Sequence, residues 1–400
     1  MGKSIAIVVC AWPPQGGGLG NNAYYQAKKL FQRGWRVGVF TPDFSGIAKD
    51  GFAFALNNLS TKMQLGKAGF MFGLFKALNG YDIIHLYYPF FGSDLLVWLF
   101  KKKHHQIKLI LHYEMDPIAG GLKGLIFWLY VKFFLGLVVK ASERVGVLSF
   151  DHVQNSYLKT YLKRWPGKFI ELPNGVDTEI FRPQEKSRDL LTLNNFSVQD
   201  KIILFVSGLD KQHYFKGVPI LLEAFKKIPT HYFPDVINGE TQRGVLKELL
   251  GEAKLLIVGE GDLRQEFEQL AGKLGISDRV RFMGWIKNED LPKYYSLADV
   301  FVLPSTARVE SFGIVVAEAQ ASGVSVIVSD WPGVRTTLEP GQTGFLIRPG
   351  DSDDLAAKLK LLLNDDNLRR QLGSAGAIRA REKYSWNKIT DELEKIYLEL

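Results

Sequence analysis

The chain has 400 residues, of which 46% are hydrophobic and 23% charged, and its mean hydropathy is −0.02. This composition is typical of a soluble globular protein and excludes both a disordered chain and a polytopic membrane protein. A single core rarely grows beyond about 250–300 residues, so two domains are expected. The one cysteine, Cys10, excludes an intramolecular disulfide and favours a reducing compartment.

The net charge of +8 is unevenly distributed along the chain. Residues 1–182 contain 22 Lys and Arg against 11 Asp and Glu, whereas the remainder contains 28 against 31. The first part is therefore basic and the second slightly acidic. A basic half indicates an anionic partner, which would be nucleic acid, a membrane surface or a phosphorylated substrate. No recognised nucleic-acid-binding motif accompanies it, so we expect no nucleic-acid partner.

Strands and helices alternate through the first part of the chain. A short apolar strand at 5–9 leads to a glycine-rich loop, and the pattern continues to a strand at 144–149. Such alternation is typical of a parallel, doubly wound sheet of the α/β class. The further predicted strands lie at 35–41, 82–86 and 108–112, and the predicted helices at 22–33 and 93–102.

Residues 121–140, GLKGLIFWLYVKFFLGLVVK, form a strongly apolar segment that lysines flank and interrupt. As a helix, residues 125–139 would extend about 22 Å, which is shorter than the roughly 30 Å of bilayer hydrocarbon. Lys132 also lies within this stretch, so a membrane span is marginal. Two interpretations remain open: a buried helix of the domain, or an interfacial helix whose lysines meet anionic head groups.

A second set of alternating elements begins after a polar, weakly periodic stretch at 184–200, which we interpret as a linker. The sequence therefore predicts two Rossmann-like domains, at 1–183 and 184–383, and a helix near the end of the chain. A shared ligand is expected in the cleft between the domains, at the carboxyl ends of the strands. The predicted strands of the second domain lie at 201–206, 254–258, 280–283, 299–303 and 324–328, and its helices at 218–227 and 262–274.

The glycine run at 16–20 lies between the first strand and a helix, where backbone N–H groups can approach an anion or a sugar ring. Residues 18–23 also match the GxGxxA dinucleotide fingerprint, and Asp43 ends the second strand. In that fingerprint the first glycine directly follows the strand, whereas residues 11–15 intervene here. A dinucleotide-dependent oxidoreductase is therefore kept as an alternative.

Lys216 directly precedes Gly217 and a predicted helix. A lysine in this position can place its ammonium on a diphosphate at the helix N-terminus, although it could also be a solvated surface lysine.

Two glutamates, Glu310 and Glu318, flank a predicted loop-to-helix junction. If the helix begins near Phe312, the free N–H groups of Phe312, Gly313 and Ile314 point at an anion. Glu310 would accept hydrogen bonds from sugar hydroxyls, and Glu318 would lie roughly 9–12 Å further along the axis. That separation suits the two ends of a long polar ligand. The alternative is a capping glutamate and a solvated one.

Further short motifs occur in order along the chain. They are Asp82-Ile83-Ile84-His85, His112, Pro173-Asn174-Gly175-Val176-Asp177, Phe215-Lys216-Gly217-Val218, Val258-Gly259-Glu260-Gly261, Phe282-Met283-Gly284, Glu310 with Glu318, Gly333-Val334 and Gly341-Gln342-Thr343-Gly344. Together with the glycine run, this ordered set resembles glycosyltransferase family four (group 1), the retaining enzymes of the GT-B fold. The resemblance covers nearly the whole chain.

The resemblance implies two Rossmann-like domains that face each other across a cleft, with a last segment, 384–400, that returns to the first domain. It implies a nucleotide-diphosphate sugar as donor and neither a metal nor another cofactor. Lys216 would bind the donor diphosphate, Glu318 the ribose, and His112 would lie beside the sugar. The implied catalytic residues are His112, Glu310 and Lys216. The implied donor-binding residues are Gly17, Gly18, Gly208, Lys211, Lys216, Gly261, Ile286 (through its backbone, at the base), Glu310, Ser311, Phe312, Gly313, Ile314 and Glu318.

The sequence departs from the family pattern at Gly208, where the family usually carries an arginine; Lys211 or His213 would substitute. Asp351-Ser352-Asp353 spells DxD, a pattern associated with metal-dependent glycosyltransferases of a different fold, but here it precedes an amphipathic helix and is interpreted as an N-cap. A non-catalytic module that binds nucleotide sugars is a second alternative. We expect a glycan or lipid-linked acceptor, and a cytoplasmic protein, peripheral on the inner face of the cytoplasmic membrane.

Overall fold

In a computed structural model, the described residues are 3–13, 17–43, 52–65, 68–230 and 251–400, without the side chains of 62–65 and 68. The chain divides into two units. The first combines Met1–Gly175 with Trp386–Leu400, and the second is Val176–Ser385. The domain boundary predicted at 183/184 lies inside the second unit, which begins at Val176. Gly16, part of the glycine run, lies outside the described residues.

The first unit is built on a parallel sheet of seven strands in the order β3-β2-β1-β6-β7-β8-β9. Its central strands are buried on both faces, which explains their nearly continuous runs of Val, Ile and Leu. Two short strands, β4 and β5, form a separate antiparallel pair. The nine strands are β1 (Ser4–Val8), β2 (Arg36–Pro42), β3 (Ala55–Leu59), β4 (Lys62–Leu65), β5 (Ala68–Phe70), β6 (Ile83–Tyr88), β7 (Lys108–Tyr113), β8 (Arg144–Val147) and β9 (Phe169–Glu171).

Helices cover this sheet, and the last one comes from the end of the chain. Trp386, Ile389, Leu393 and Tyr397 of the C-terminal helix are buried in the same apolar cluster as β1. Burial of each large apolar side chain contributes about 1.5–3 kcal/mol, so this face fixes the helix to the first unit. The helices are Gly17–Gln32, Leu74–Ala77, Ser93–Lys103, Gly121–Tyr130, Gly136–Ala141, Phe150–Gln154, Lys159–Arg164 and Trp386–Leu398, with a π-helical turn at Val131–Leu135 and a 3₁₀ turn at Pro166–Lys168.

The second unit repeats the architecture with six parallel strands in the order β12-β11-β10-β13-β14-β15. These are β10 (Lys201–Val206), β11 (Ala253–Val258), β12 (Val280–Phe282), β13 (Val300–Leu303), β14 (Ser325–Ser329) and β15 (Gly344–Ile347). Its described helices are Arg188–Leu193, Val218–Lys226, Arg264–Lys273, Leu291–Leu297, Ile314–Ala321, Ser352–Asn364 and Asp366–Arg379, with 3₁₀ turns at Tyr214–Lys216, Ser277–Arg279 and Val334–Thr337 and a π-helical turn at Ala380–Tyr384. Two parallel α/β sheets and a C-terminal helix within the first unit confirm the predicted fold class.

The apolar segment forms one long helical stretch, Gly121–Ala141, called the apolar helix below. By length and composition alone it is the one helix within the described ranges that could cross a membrane, and 22% of its most apolar window is buried. Its packed face is anchored by Tyr130, whose hydroxyl accepts a hydrogen bond from the Gly92 N–H at 2.9 Å and donates to the Asp94 carboxylate. The opposite face is exposed, so a fully buried helix is excluded.

Candidate functional site

Lys216 is placed by two loops that follow neighbouring strands of the second unit. It ends the 3₁₀ turn Tyr214–Lys216, and the backbone N–H of Thr306 donates to the carbonyl of Phe215 at 2.6 Å. Gly217 comes next with φ 85°, and a Cβ there would lie 2.0 Å from the carbonyl oxygen of Pro304. Only glycine permits this approach. The loop after β10 is thereby fastened to the loop after β13, which leads to Glu310.

Glu310 lies just before a short helix, as the sequence predicts. The helix is Ile314–Ala321, with Gly313 (φ 75°) as its N-cap residue, so it begins two residues later than expected. The free N–H groups of its first turn are therefore those of Ile314 and Val315, since the Val316 N–H donates to the Gly313 carbonyl at 2.8 Å, and Phe312 precedes the helix. The correction has a packing reason, because Phe312 is buried and its ring meets Tyr384 edge to face at 5.3 Å.

Lys216 and Glu310 form an ion pair through Nζ and Oε2, with side chains only 15% and 8% exposed. A buried ion pair is a weak source of stability, because desolvation of both charges offsets their attraction. Its chemical consequence is clearer: an ammonium and a carboxylate are held together beside the N-terminus of a helix. The ammonium and the helix end both favour an anion, and the carboxylate accepts hydrogen bonds from hydroxyls.

Glu318 lies four residues after Ile314, about 6 Å along the helix axis. The hydroxyl of Tyr295 donates to its Oε2 at 2.8 Å. Burial raises the pKa of Glu318 to about 7, and the Tyr295 hydrogen bond opposes that rise. The carboxyl therefore changes charge near neutral pH, which makes a ligand that binds it sensitive to pH.

At Gly208, where the family usually carries an arginine, the space beside the backbone is occupied by the side chains of His213 and Asp210 from the following turn. A Cβ on Gly208 would lie 2.8 Å from Nδ1 of His213 and 3.1 Å from Oδ2 of Asp210. That nitrogen is also 2.8 Å from Asp210 Oδ2, so the aspartate orients the imidazole in the space beside Gly208. Lys211, the other predicted substitute, is exposed.

Gly261 and Ile286 lie at the edges of β11 and β12 in the same unit. A Cβ on Gly261 would come within 2.3 Å of the Leu209 backbone, so close packing of two loops is sufficient reason for this glycine. Ile286 lines a cavity of about 300 Å³ together with Leu190, Trp285 and other side chains. Trp285 is 69% exposed, so a flat aromatic surface is available beside the backbone predicted to bind the base.

Gly17 and Gly18 are exposed at the start of helix Gly17–Gln32. The predicted glycine-rich loop is therefore the first turn of this helix, five residues earlier than the predicted start at Asn22. Gly20 explains part of the glycine pattern, because a Cβ there would lie 3.0 Å from the carbonyl oxygen of Ala11.

His112 lies in β7 with a fully buried side chain, inside a polar cluster of the first unit. Its Nδ1 is 3.0 Å from Nε2 of His85, and its Nε2 is 3.6 Å from Oε1 of Glu114. Burial lowers the pKa of His112 to about 3, and the nearby Leu172 backbone opposes that shift. Burial also holds the pKa of His85 well below its usual range, with the neighbouring His112 as a further cause. Both imidazoles are therefore neutral near pH 7.

Glu114 belongs to the same buried polar cluster, and the sequence analysis did not single it out. Its Oε1 accepts from Asn22 Nδ2 at 2.6 Å, its Oε2 accepts from Asn174 Nδ2 at 3.3 Å, and Asn22 also donates to Asn174. Burial raises the pKa of Glu114 to about 7, opposed by these two amides. The carboxyl joins the glycine-rich helix, the end of β7 and the Pro173-Asn174-Gly175 turn. The sequence did contain one signal for Glu114, because a carboxylate directly follows the apolar strand β7.

The residues that the structure describes contain no group of three or more His, Cys, Asp or Glu that could hold a metal ion. The DxD sequence acts as an N-cap, as predicted: Asp351 accepts from the N–H groups of Asp353 and Asp354 at 3.0 and 2.9 Å. That the protein requires neither a metal nor another cofactor stays a prediction.

Comparison with known proteins agrees with this architecture. Residues 193–379 match the family model described as glycosyl transferases group 1. The chain is 32% identical to the phosphatidyl-myo-inositol mannosyltransferase of Mycobacterium tuberculosis over 234 residues, 57% of this chain and 53% of that protein. It is also 32% identical to the D-inositol 3-phosphate glycosyltransferase of Geodermatophilus obscurus, over 58% of this chain and 47% of that protein. The chain thus spans about half the length of the curated relatives it matches.

Solved structures match over the whole chain. Sucrose-phosphate synthase from Thermosynechococcus elongatus superposes with a TM-score of 0.79 and 24% identity, covering 99% of this chain and 98% of that one. Anabaena HepE in complex with UDP gives 0.72 at 18% identity, with full coverage of both chains. The two units therefore have the GT-B fold. Residues 193–379, slightly less than half of the chain, are similar to the group 1 glycosyl transferases.

Proposed function

We propose that this protein transfers a glycosyl group from a nucleotide-diphosphate sugar to an acceptor, with retention of anomeric configuration. The observation that carries the proposal is the buried Lys216–Glu310 pair beside the N-terminus of helix Ile314–Ala321, in the unit that matches the family. A relative named for mannosyl transfer to phosphatidyl-myo-inositol supports a lipid-linked acceptor.

The charges suit this reaction. When the anomeric C–O bond breaks, negative charge develops on the departing diphosphate and positive character on the sugar. Lys216 and the free N–H groups of the helix stabilise the negative charge on the diphosphate. Glu310 faces the positive character on the sugar and accepts hydrogen bonds from sugar hydroxyls. In a front-face transfer the leaving phosphate oxygen takes the acceptor's proton, so no enzymic nucleophile is needed. Glu318 would accept from the ribose hydroxyls, with the base at the cavity beside Ile286.

The test begins with the common UDP-, GDP- and ADP-sugars, each examined for thermal stabilisation of the protein and for slow release of nucleoside diphosphate. A transferase stabilised by one donor should release that nucleoside diphosphate, and NMR of the product should show the anomeric configuration of the donor. If a nucleotide sugar stabilises the protein but no nucleoside diphosphate is released, the protein is a non-catalytic module that binds nucleotide sugars. If no nucleotide sugar stabilises the protein and NAD binds to it, the dinucleotide-dependent oxidoreductase is the better assignment.

Donor affinity should depend on pH through Glu318. Its pKa of about 7 means that the carboxylate, the better acceptor for ribose hydroxyls, predominates above pH 7 and is lost below it. Affinity for the nucleotide sugar should therefore rise up to about tenfold from pH 6 to pH 8. A nucleotide sugar is the right probe, because its diphosphate diester does not titrate in this range. Calorimetry should show the rise in the wild type and a flat profile in Glu318→Gln; equal slopes would contradict the assignment.

The apolar helix supports a peripheral contact with an anionic membrane, on the inner face of the cytoplasmic membrane. Its exposed face carries large apolar side chains, among them Leu122, Trp128 and Phe133, which are 74%, 44% and 62% exposed. Lys123 and Lys132 are exposed, and their ammonium groups lie over the rings of Phe127 and Trp128 at 5.5 and 4.8 Å. Because the other face is anchored to the first unit, the helix would lie along the interface, with apolar side chains in the acyl region.

Vesicle binding tests this contact. The protein should cosediment with vesicles containing phosphatidylglycerol and bind less as salt rises, because each lysine near the surface contributes about 1 kcal/mol that salt screens. The double variant Trp128→Ala/Phe133→Ala should lose most of the binding. Leu193→Ala/Ile378→Ala removes comparably exposed apolar side chains from the second unit and should not. Equal binding by both variants would show that the apolar helix is not the contact.

A further inference from the structure

Two buried histidines on adjacent strands form the centre of a hydrogen-bonded chain. In the register of β6 and β7, His85 lies beside Ile110 and Tyr87 beside His112, so the two imidazoles share one face of the sheet. The contact between His85 Nε2 and His112 Nδ1, at 3.0 Å, carries one proton. Neither side chain is exposed, so water does not supply an alternative partner at this contact.

The chain continues to the C-terminal helix. The hydroxyl of Tyr397, also fully buried, lies 2.6 Å from Nδ1 of His85. Tyr397 is held by the packing of its helix on the apolar cluster beneath β1. A hydroxyl, two imidazoles and the Glu114 carboxyl thus follow one another through the interior of the first unit.

The geometry allows two proton arrangements, because each neutral imidazole carries one proton. In the first, Tyr397 donates to His85 Nδ1, His85 Nε2 donates to His112 Nδ1, and His112 keeps its proton on Nε2. In the second, every bond is reversed: the Tyr397 hydroxyl accepts from His85, its own proton has no acceptor, and the unprotonated His112 Nε2 faces Glu114. His85 is the one hydrogen-bond partner found for the Tyr397 hydroxyl in the described ranges.

The contact with Glu114 distinguishes the two arrangements. Each leaves one buried donor without an acceptor at full hydrogen-bond distance: the Tyr397 hydroxyl in the second, and the His112 Nε2–H in the first. The second arrangement also points a nitrogen lone pair at Glu114 Oε1, 3.6 Å away, an oxygen that already accepts from Asn22. In the first arrangement an N–H faces that oxygen, which is an electrostatic attraction although the distance is too long for a full hydrogen bond.

We propose that Tyr397 and His85 are positioning residues that hold His112 in the tautomer with its proton on Nε2, as a donor for a ligand oxygen at the end of β7. His112 Nε2 has no hydrogen-bond partner within the described part of the chain. The donor role rests on the proposed function, in which the ligand oxygen belongs to the sugar. The tautomer itself does not depend on that function.

Nitrogen NMR of protein labelled with ¹⁵N-histidine measures the tautomer without any substrate. His112, assigned by signal loss in His112→Gln, should show a protonated Nε2 and an unprotonated Nδ1. Tyr397→Phe removes the first donor of the chain while keeping the ring, and should shift His85 and His112 towards a mixture of tautomers. Tyr87→Phe is the matched control, because the Tyr87 ring stacks on both imidazoles while its buried hydroxyl lacks a partner among the described residues.

A protonated Nδ1 on His112 in the wild type, or identical spectra for Tyr397→Phe and Tyr87→Phe, would overturn the proposal. The catalytic consequence is measured separately: Tyr397→Phe should lower kcat about 3- to 10-fold relative to Tyr87→Phe, with KM for the donor nearly unchanged. Equal kcat values for the two variants would refute the role in turnover. If the tautomer is as expected but no nucleotide sugar is turned over, the proposed function fails and the hydrogen-bonded chain stands.

Discussion

Replacing Glu310 by glutamine is expected to lower turnover by about 10²- to 10³-fold while the protein stays folded. Glutamine has nearly the same shape, and its carbonyl oxygen still accepts a hydrogen bond from Lys216. What is lost is the negative charge that faces the sugar as positive character develops and that holds the ammonium in place. Loss of one preorganised electrostatic group in an active site typically has an effect of this size. The measurement is kcat at saturating donor, with the thermal midpoint as a check on folding.

The matched control for this variant is Glu223→Gln, on the helix that follows Lys216. Glu223 is exposed, so the same change of charge there removes no buried contact. It should leave kcat within about twofold of the wild-type value. If Glu310→Gln also retained wild-type turnover, the assignment of this carboxylate to the reaction centre would be wrong.

Replacing Lys216 by alanine is expected to weaken binding of nucleoside diphosphate by about 10- to 100-fold. A hydrogen bond to a charged group contributes about 1.5–3 kcal/mol, which corresponds to this range. The substitution also leaves the buried Glu310 carboxylate without its cation, so like charges repel when the diphosphate arrives. Calorimetric titration with UDP, GDP and ADP measures the effect. Lys273→Ala, which removes an exposed lysine of the same unit, should change no affinity.

The double variant Lys216→Ala/Glu310→Gln separates these two contributions. It removes the stranded carboxylate, so it should bind the nucleoside diphosphate more tightly than Lys216→Ala and more weakly than the wild type. The double variant is also a control for misfolding, because it has no buried Glu310 charge that lacks a cation. Unchanged affinity in Lys216→Ala would remove the lysine from the diphosphate site.

Much of the fold was predictable because it is encoded locally. The apolar strands β1, β6 and β7 of the first unit and β10, β11 and β13 of the second appear as short apolar runs separated by helical periodicity, which is typical of parallel sheets. The sequence analysis missed five strands. Three of them, β3 (Ala55–Leu59), β9 (Phe169–Glu171) and β15 (Gly344–Ile347), lie at sheet edges, and the other two, β4 and β5, form a separate two-stranded sheet. In such positions the local pattern is weak.

The candidate site residues also differ in how far the sequence alone could identify them. Lys216, Glu310 and Glu318 stand in short local motifs from which the sequence analysis selected them, and their roles stay predictions. Glu114 was not found, because its partners Asn22 and Asn174 are 92 and 60 residues away along the chain. His85 was noted only as the last residue of a short motif, and its partner Tyr397 is 312 residues distant. A single sequence gives no signal for such pairings.

The sequence by itself determined the class of fold, the basic character of the first half and the motifs that resemble the glycosyltransferase family, because periodicity, charge and turn chemistry are local properties of the chain. Only the tertiary structure decided that Lys216 is paired with Glu310, that one face of the apolar helix is exposed, and that Tyr397 reaches the two histidines. These depend on which surfaces pack together and which polar atoms burial leaves to be satisfied, and burial is a property of the folded molecule.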